Sequence, residues 1–184
     1  MTMDFTQLEN EIQNCTRCKL CQTRTNTVMG KGDRQAALMF VGEAPGEQED
    51  LQGLPFVGAA GQLLDTYLTA CGIPKEKVYI CNILKCRPPH NRDPLPEEED
   101  ACMEYLRRQV RLIRPKIIVC LGRIAAKRLI DPEFRITASH GKWYDKGAFR
   151  MMAVYHPSAL LRDPGKREDM LKDMMTIKAE FDKL

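Results

Sequence analysis

Four short, dominantly apolar runs punctuate the chain: Ala37–Val41, Val78–Leu84, Lys116–Leu121 and Met151–Tyr155. None alternates apolar with polar residues, so each predicts a strand buried on both faces. Helical spacing fills the intervals. Phe5, Leu8 and Ile12 share one face of a segment over 4–14. Leu63, Leu64, Tyr67 and Leu68 do so over 61–71, and Gly72 supplies the stop. Pro96 opens a further helix, where the acidic block Glu97–Asp100 complements the positive end of the dipole. A short helix spans 124–130, and Met170, Leu171, Met174, Ile177 and Phe181 mark a final amphipathic helix over 166–184. Residues 131–149 read as irregular. Strands alternating with helices predict one α/β domain over 1–184, a three-layer α/β/α sandwich around a four-stranded parallel sheet. Chemistry in such sheets gathers beyond the carboxyl ends of the strands. Three loaded loops lie there: Gly42–Asp50, Lys85–Leu95 and His156–Arg167.

Composition narrows the class. A chain of 184 residues, 43% hydrophobic and 29% charged, forms a sizeable core without disulfides and is no disordered polymer. No apolar run approaches the roughly 20 residues that span a bilayer, and no secretory leader opens the chain, so no membrane partner and a cytoplasmic address are expected. The net charge of +3 is too mild to identify a nucleic-acid partner by itself.

Eight cysteines in a reducing compartment read as metal or cluster ligands. Cys71, Cys81 and Cys120 fall on predicted elements and read as core. Cys15 and Cys18 form a chelating pair. Cys86 sits in the proline-rich loop, and Cys102 in the helix that loop feeds. These four suit either Zn²⁺ or an iron–sulfur cluster, with Cys21 as an alternative for one of them.

The segments Gly42-Glu-Ala-Pro-Gly46, Pro55-Phe-Val-Gly58, Asn82-Ile-Leu-Lys-Cys-Arg-Pro-Pro89 and His156-Pro-Ser158, in this order from Cys15 to about Arg167, resemble the family 4 uracil-DNA glycosylases. The resemblance implies a [4Fe-4S] cofactor on Cys15, Cys18, Cys86 and Cys102. It implies a monomer that acts on uracil-containing DNA, single- or double-stranded, in base excision repair. Gly42, Ala44, Phe56, Asn82 and His156 would bind the flipped base: Phe56 by stacking, Asn82 by its amide, His156 at O2. Glu43, Glu49 and Asn91 join His156 as candidate catalytic residues, for placing water or crowding a thymine methyl. Family 1 enzymes carry Asp where this chain has Ala44, so no carboxylate stands at that position. A related covalent enzyme uses a His in a basic insertion that this chain lacks.

DNA phosphates would be met by Lys31, Lys85, Arg87, Arg92, Arg162, Lys166 and Arg167. Leu160 or Leu161 would wedge the duplex. Two rivals stand beside this reading: a non-catalytic iron–sulfur nucleic-acid-binding module serving replication or repair, and a zinc-stabilised nucleotide-binding domain.

Overall fold

The computed structural model describes residues 4–184. In chain order the elements are α1 (Phe5–Gln13), β1 (Lys31–Gly32), β2 (Leu38–Gly42), α2 (Glu47–Gln52), α3 (Ala59–Ala70), β3 (Val78–Asn82), α4 (Pro96–Ile113), β4 (Ile117–Leu121), α5 (Arg123–Leu129), α6 (Ile136–Ser139), β5 (Tyr144–Asp145), β6 (Arg150–Val154), α7 (Pro157–Arg162) and α8 (Arg167–Phe181).

The expected four-stranded parallel sheet is the centre of a larger one. Six strands lie in the order β1-β3-β2-β4-β6-β5. The inner four are mutually parallel, with Gly42 beside Asn82 and Leu121 beside Val154. The outer two are antiparallel, so the sheet is mixed. Each outer strand has only two residues, too few to print a hydrophobic pattern. That is why reading by periodicity passes over them.

Successive residues of the inner strands point to opposite faces. Leu38, Phe40, Ile80, Val119 and Val154 pack with α3, α7 and α8. Met39, Val41, Cys81, Cys120 and Ala153 pack with Met103 and Leu106 of α4 and Ala125 and Ala126 of α5. Cys81 and Cys120 are core residues, as expected, and Cys71 is partly buried at the edge of the first cluster. A third cluster joins Leu8, Ile12 and Leu20 to Leu84, Cys86, Cys102 and Tyr105, fixing α1 against the loop after β3. Arg108 reinforces that junction by donating from Nη2 to Glu11 Oε1 at 2.9 Å.

The acidic block starts α4, as expected. Pro96 occupies its first turn, and the buried Glu98 carboxylate accepts from the Leu95 backbone N–H at 2.9 Å. Two of the presumed loops hold short helices, α2 and α7, each six residues long. Fewer than two turns cannot establish a helical period in sequence. Among the described residues no helix is long and apolar enough to cross a membrane.

Candidate active site

β2, β3, β4 and β6 all end on one rim, and a cleft of about 690 Å³ opens above it. At the end of β3 the Asn82 side chain is buried, at 2% exposure. Its Oδ1 is the one buried side-chain oxygen or nitrogen among the described residues that lacks a hydrogen-bond partner. An orphaned buried acceptor is costly, by about 1–3 kcal/mol, unless something outside the chain satisfies it. Gly42, in register beside Asn82, makes room: a Cβ there would lie 2.5 Å from Asn82 Oδ1 and 2.7 Å from Phe56 Cζ.

Phe56 closes the pocket. It is 6% exposed, and its ring centroid lies 5.8 Å from that of His156 at a 30° tilt. Its backbone is left-handed, with φ of 52°. For a bulky residue such a conformation costs of order 1–3 kcal/mol and persists only where the surroundings impose it. Gly61 in α3 makes room for it, because any side chain there would collide with the Phe56 carbonyl.

His156 follows β6 and caps α7. Its Nδ1 accepts from the Ser158 backbone N–H at 3.1 Å, with the Ser158 hydroxyl 2.7 Å away. A backbone amide can only donate, so the neutral ring carries its proton on Nε2. Burial, helped by the Arg162 charge, pushes the His156 pKa down to about 4. The ring is therefore a neutral donor through the physiological range.

Glu43, Ala44, Glu49 and Asn91 also line the cleft. Burial raises the Glu43 pKa to about 7; Asp93 and Glu99 push it the same way, against Arg123 and Arg162. The carboxylate therefore exchanges its proton near neutrality. Asn91 has a left-handed backbone, φ 55°, and its Oδ1 accepts from Arg87 Nε at 2.7 Å.

The basic residues divide. Arg92, Arg162 and Lys166 line the cleft, while Arg167 is exposed just beyond it. Arg92 is already held by the Glu98 carboxylate in a two-pronged pair, at 3.0 and 2.6 Å. Arg87 lies outside the lining and orients Asn91. Lys31, in edge strand β1, does not line the cleft. Two expectations are corrected. Lys85 cannot meet phosphate: it is 1% exposed, with Nζ donating to the Asn82 carbonyl and to Gln109 Oε1, both at 2.7 Å. Leu160 cannot wedge a duplex, because it is fully buried in the core beneath α7. Its neighbour Leu161, 44% exposed, is the available side chain.

Sequence reasoning passed over four contributors. Ser158 sets the His156 tautomer; its place two residues past a histidine opening a helix was the available sign. Tyr155, Asp93 and Arg123 also line the cleft, and Arg123 Nη2 donates to Asp93 Oδ2 at 2.9 Å. Arg123 follows a strand end, a position the parallel-sheet rule marks.

Cys15, Cys18, Cys86 and Cys102 line one small cavity between α1, the loop after β3 and α4, and Cys21 joins them. Among the described residues no three His, Cys, Asp or Glu side chains form a group that would hold a metal ion. Arg24 Nη1 lies 3.2 Å from Cys86 Sγ.

A parallel sheet carrying at its rim a buried amide, a stacking ring and a neutral imidazole corresponds to the Uracil DNA glycosylase superfamily, whose family model matches residues 29–177. Within it, the chain belongs to the type-4 uracil-DNA glycosylases. It is 50% identical over 175 residues to the Type-4 uracil-DNA glycosylase of Archaeoglobus fulgidus, covering 91% of this chain and 88% of that protein. To the proteins of the same name from Sulfurisphaera tokodaii and Thermotoga maritima it is 44% and 43% identical. These matches cover 94% of this chain in both cases, and 82% and 92% of the relatives.

Proposed function

We propose that this protein is a DNA-repair glycosylase that receives an everted uracil and hydrolyses its N-glycosidic bond, leaving an abasic site. The observation that carries the reading is the orphaned Asn82 Oδ1 facing the Phe56 ring. Uracil offers a donor at N3 and an acceptor at O4. The Asn82 amide matches both, Oδ1 accepting and Nδ2 donating. Cytosine presents the opposite pair and would leave the buried amide unsatisfied. Phe56 stacks on the base once it has left the duplex.

Cleavage breaks the bond between C1′ and N1, and the electron pair leaves with the base. Negative charge spreads to uracil O2, where the His156 Nε2–H donates. One such preorganised donor supplies about 3 kcal/mol of transition-state stabilisation. Water then bonds to C1′ and releases a proton. Glu43, exchanging near pH 7, is suited to accept it; Glu49 and Asn91 hold the water's surroundings. Ala44 leaves the base edge unobstructed.

The four cysteines Cys15, Cys18, Cys86 and Cys102 would hold a [4Fe-4S] cluster. When bound, that group supplies a covalent tie between the N-terminal segment and the loop bearing Asn91, not reaction chemistry. Four thiols lining one cavity are the donor set that a [4Fe-4S] cluster takes.

The test is incubation with a uracil-containing oligonucleotide, then alkali. Scission at the uracil is expected in single- and double-stranded substrates. Binding without scission identifies a non-catalytic module and sinks the enzyme reading.

A further inference from the structure

The burial of Lys85 leaves its amine to be explained. Its Nζ sits in the interior on two neutral oxygens, those of the Asn82 carbonyl and the Gln109 amide, and no carboxylate among the described residues pairs with it; burial alone lowers its pKa, so only a nearby negative charge would keep it protonated. Buried charges are paired or placed against ions. Gln109 adds no compensating charge, since its own Nε2 donates to the Met29 carbonyl at 2.8 Å and to the Tyr79 hydroxyl at 3.2 Å. What Lys85 does border is the cysteine cavity, where it is one of three cations: Arg17, Arg24 and Lys85. Arg24 points Nη1 at Cys86 Sγ, 3.2 Å away, and Arg17 lies over the Tyr105 ring at 4.5 Å. No acidic side chain lines that cavity. Glu98, whose charge reaches Cys18, is already bound by Arg92.

A cavity walled by thiols and three cations, with no acid, is built for an anionic occupant. A cubane cluster with four thiolate ligands is one, because the four thiolate charges exceed that of the iron–sulfide core. We propose that Lys85 and Arg24 are the counter-cations of the cluster, one on its buried side and one at a ligand sulfur, and that together they set its reduction potential and its retention. This rests on the reading of Cys15, Cys18, Cys86 and Cys102 as cluster ligands. Positive charge and an N–H donor at sulfur favour the more negative, reduced cluster and strengthen the thiolate shell. Both residues are positioning residues; neither touches the base.

The experiment uses the purified iron-loaded protein with Arg24→Gln and Lys85→Met. Two readouts are taken: the reduction potential by film voltammetry, and the rate at which a chelator bleaches the brown visible absorption. Each variant is expected to shift the potential to more negative values and to lose iron roughly 10-fold faster. Lys85→Arg, which keeps the charge, is expected to restore most of the potential. A merely structural role would move stability but not the potential. Folded Arg24→Gln and Lys85→Met with wild-type potential and wild-type iron loss overturn the inference. Arg24 is only partly buried, so its variant is expected to leave the core intact. If Lys85→Met fails to fold, an unchanged potential in Arg24→Gln overturns the inference alone. Wild-type protein without iron or visible absorption overturns the cluster reading, and this inference with it.

Discussion

A single asparagine at the end of β3 is left with an acceptor that nothing in the protein satisfies, and its neighbours are shaped around that fact. Gly42→Ala would place a methyl against both Asn82 Oδ1 and Phe56 Cζ. We expect it to abolish uracil release while leaving the thermal midpoint within a few degrees, as read by single-turnover cleavage and calorimetry. His156→Ala is expected to slow single-turnover cleavage by about 10²- to 10³-fold, the usual loss on removing one preorganised donor. Near-normal cleavage by that variant would refute its role. Glu43, with a pKa near 7, makes the rate climb as pH rises through neutrality, because only the ionised form accepts a proton. Glu43→Gln should flatten that limb; a surviving limb would assign it to another group. The two groups bend stability in opposite directions. Folded His156 binds fewer protons than the unfolded chain between pH 4 and 6.5, so its contribution grows as pH rises through that window. Folded Glu43 binds more between 4.5 and 7, so its contribution fades there.

Among the elements, α4 connects the chemistry of the cleft to the cysteine cavity. Its first turn is held by Glu98, which takes both the Leu95 amide and the Arg92 guanidinium, while Cys102 on the same helix faces the cavity. Glu98→Ala should lower stability by about 1–2 kcal/mol, the scale of a lost N-terminal cap. It should also release Arg92 from the cleft wall, which a weaker Kd for uracil-containing DNA would report. Elements long enough to show a period were legible in sequence. Their ends fell within two residues for the four inner strands, because each is buried along its length, Arg150 at the start of β6 excepted. The short helices α2, α6 and α7 were not, since four to six residues contain too little repetition. The site was legible as motifs: Asn82, Phe56 and His156 do meet. What motifs could not give was direction. Lys85 reads in sequence as a loop cation beside arginines, and only the turn after β3 sends it inward. Leu160 and Leu161 are equivalent until α7 exists to bury one of them.

For the molecule as a whole, net charge is a poor guide to where DNA lies, since many basic residues are already paired. Arg34, Lys75, Arg108, Arg111, Arg128 and Arg150 each face a carboxylate. Arg123, Arg162 and Lys166 line the cleft, with Arg123 paired to Asp93 and Lys166 to Asp163. Binding to a uracil-containing duplex should weaken steeply with salt. Arg162→Ala should reduce the slope of log K against log salt by about 1. An unchanged slope would place the phosphates elsewhere.

The dipeptide strands β1 and β5 bear on how the protein lives at high concentration. A wide parallel sheet ordinarily offers two open margins on which a neighbour can crystallise its own backbone. Here each margin finishes after two residues, beside Lys31 on one flank and Asp145 with Lys146 on the other. The polymerising template is thus too short and too charged to be copied, because of the same trimmings that periodicity overlooked.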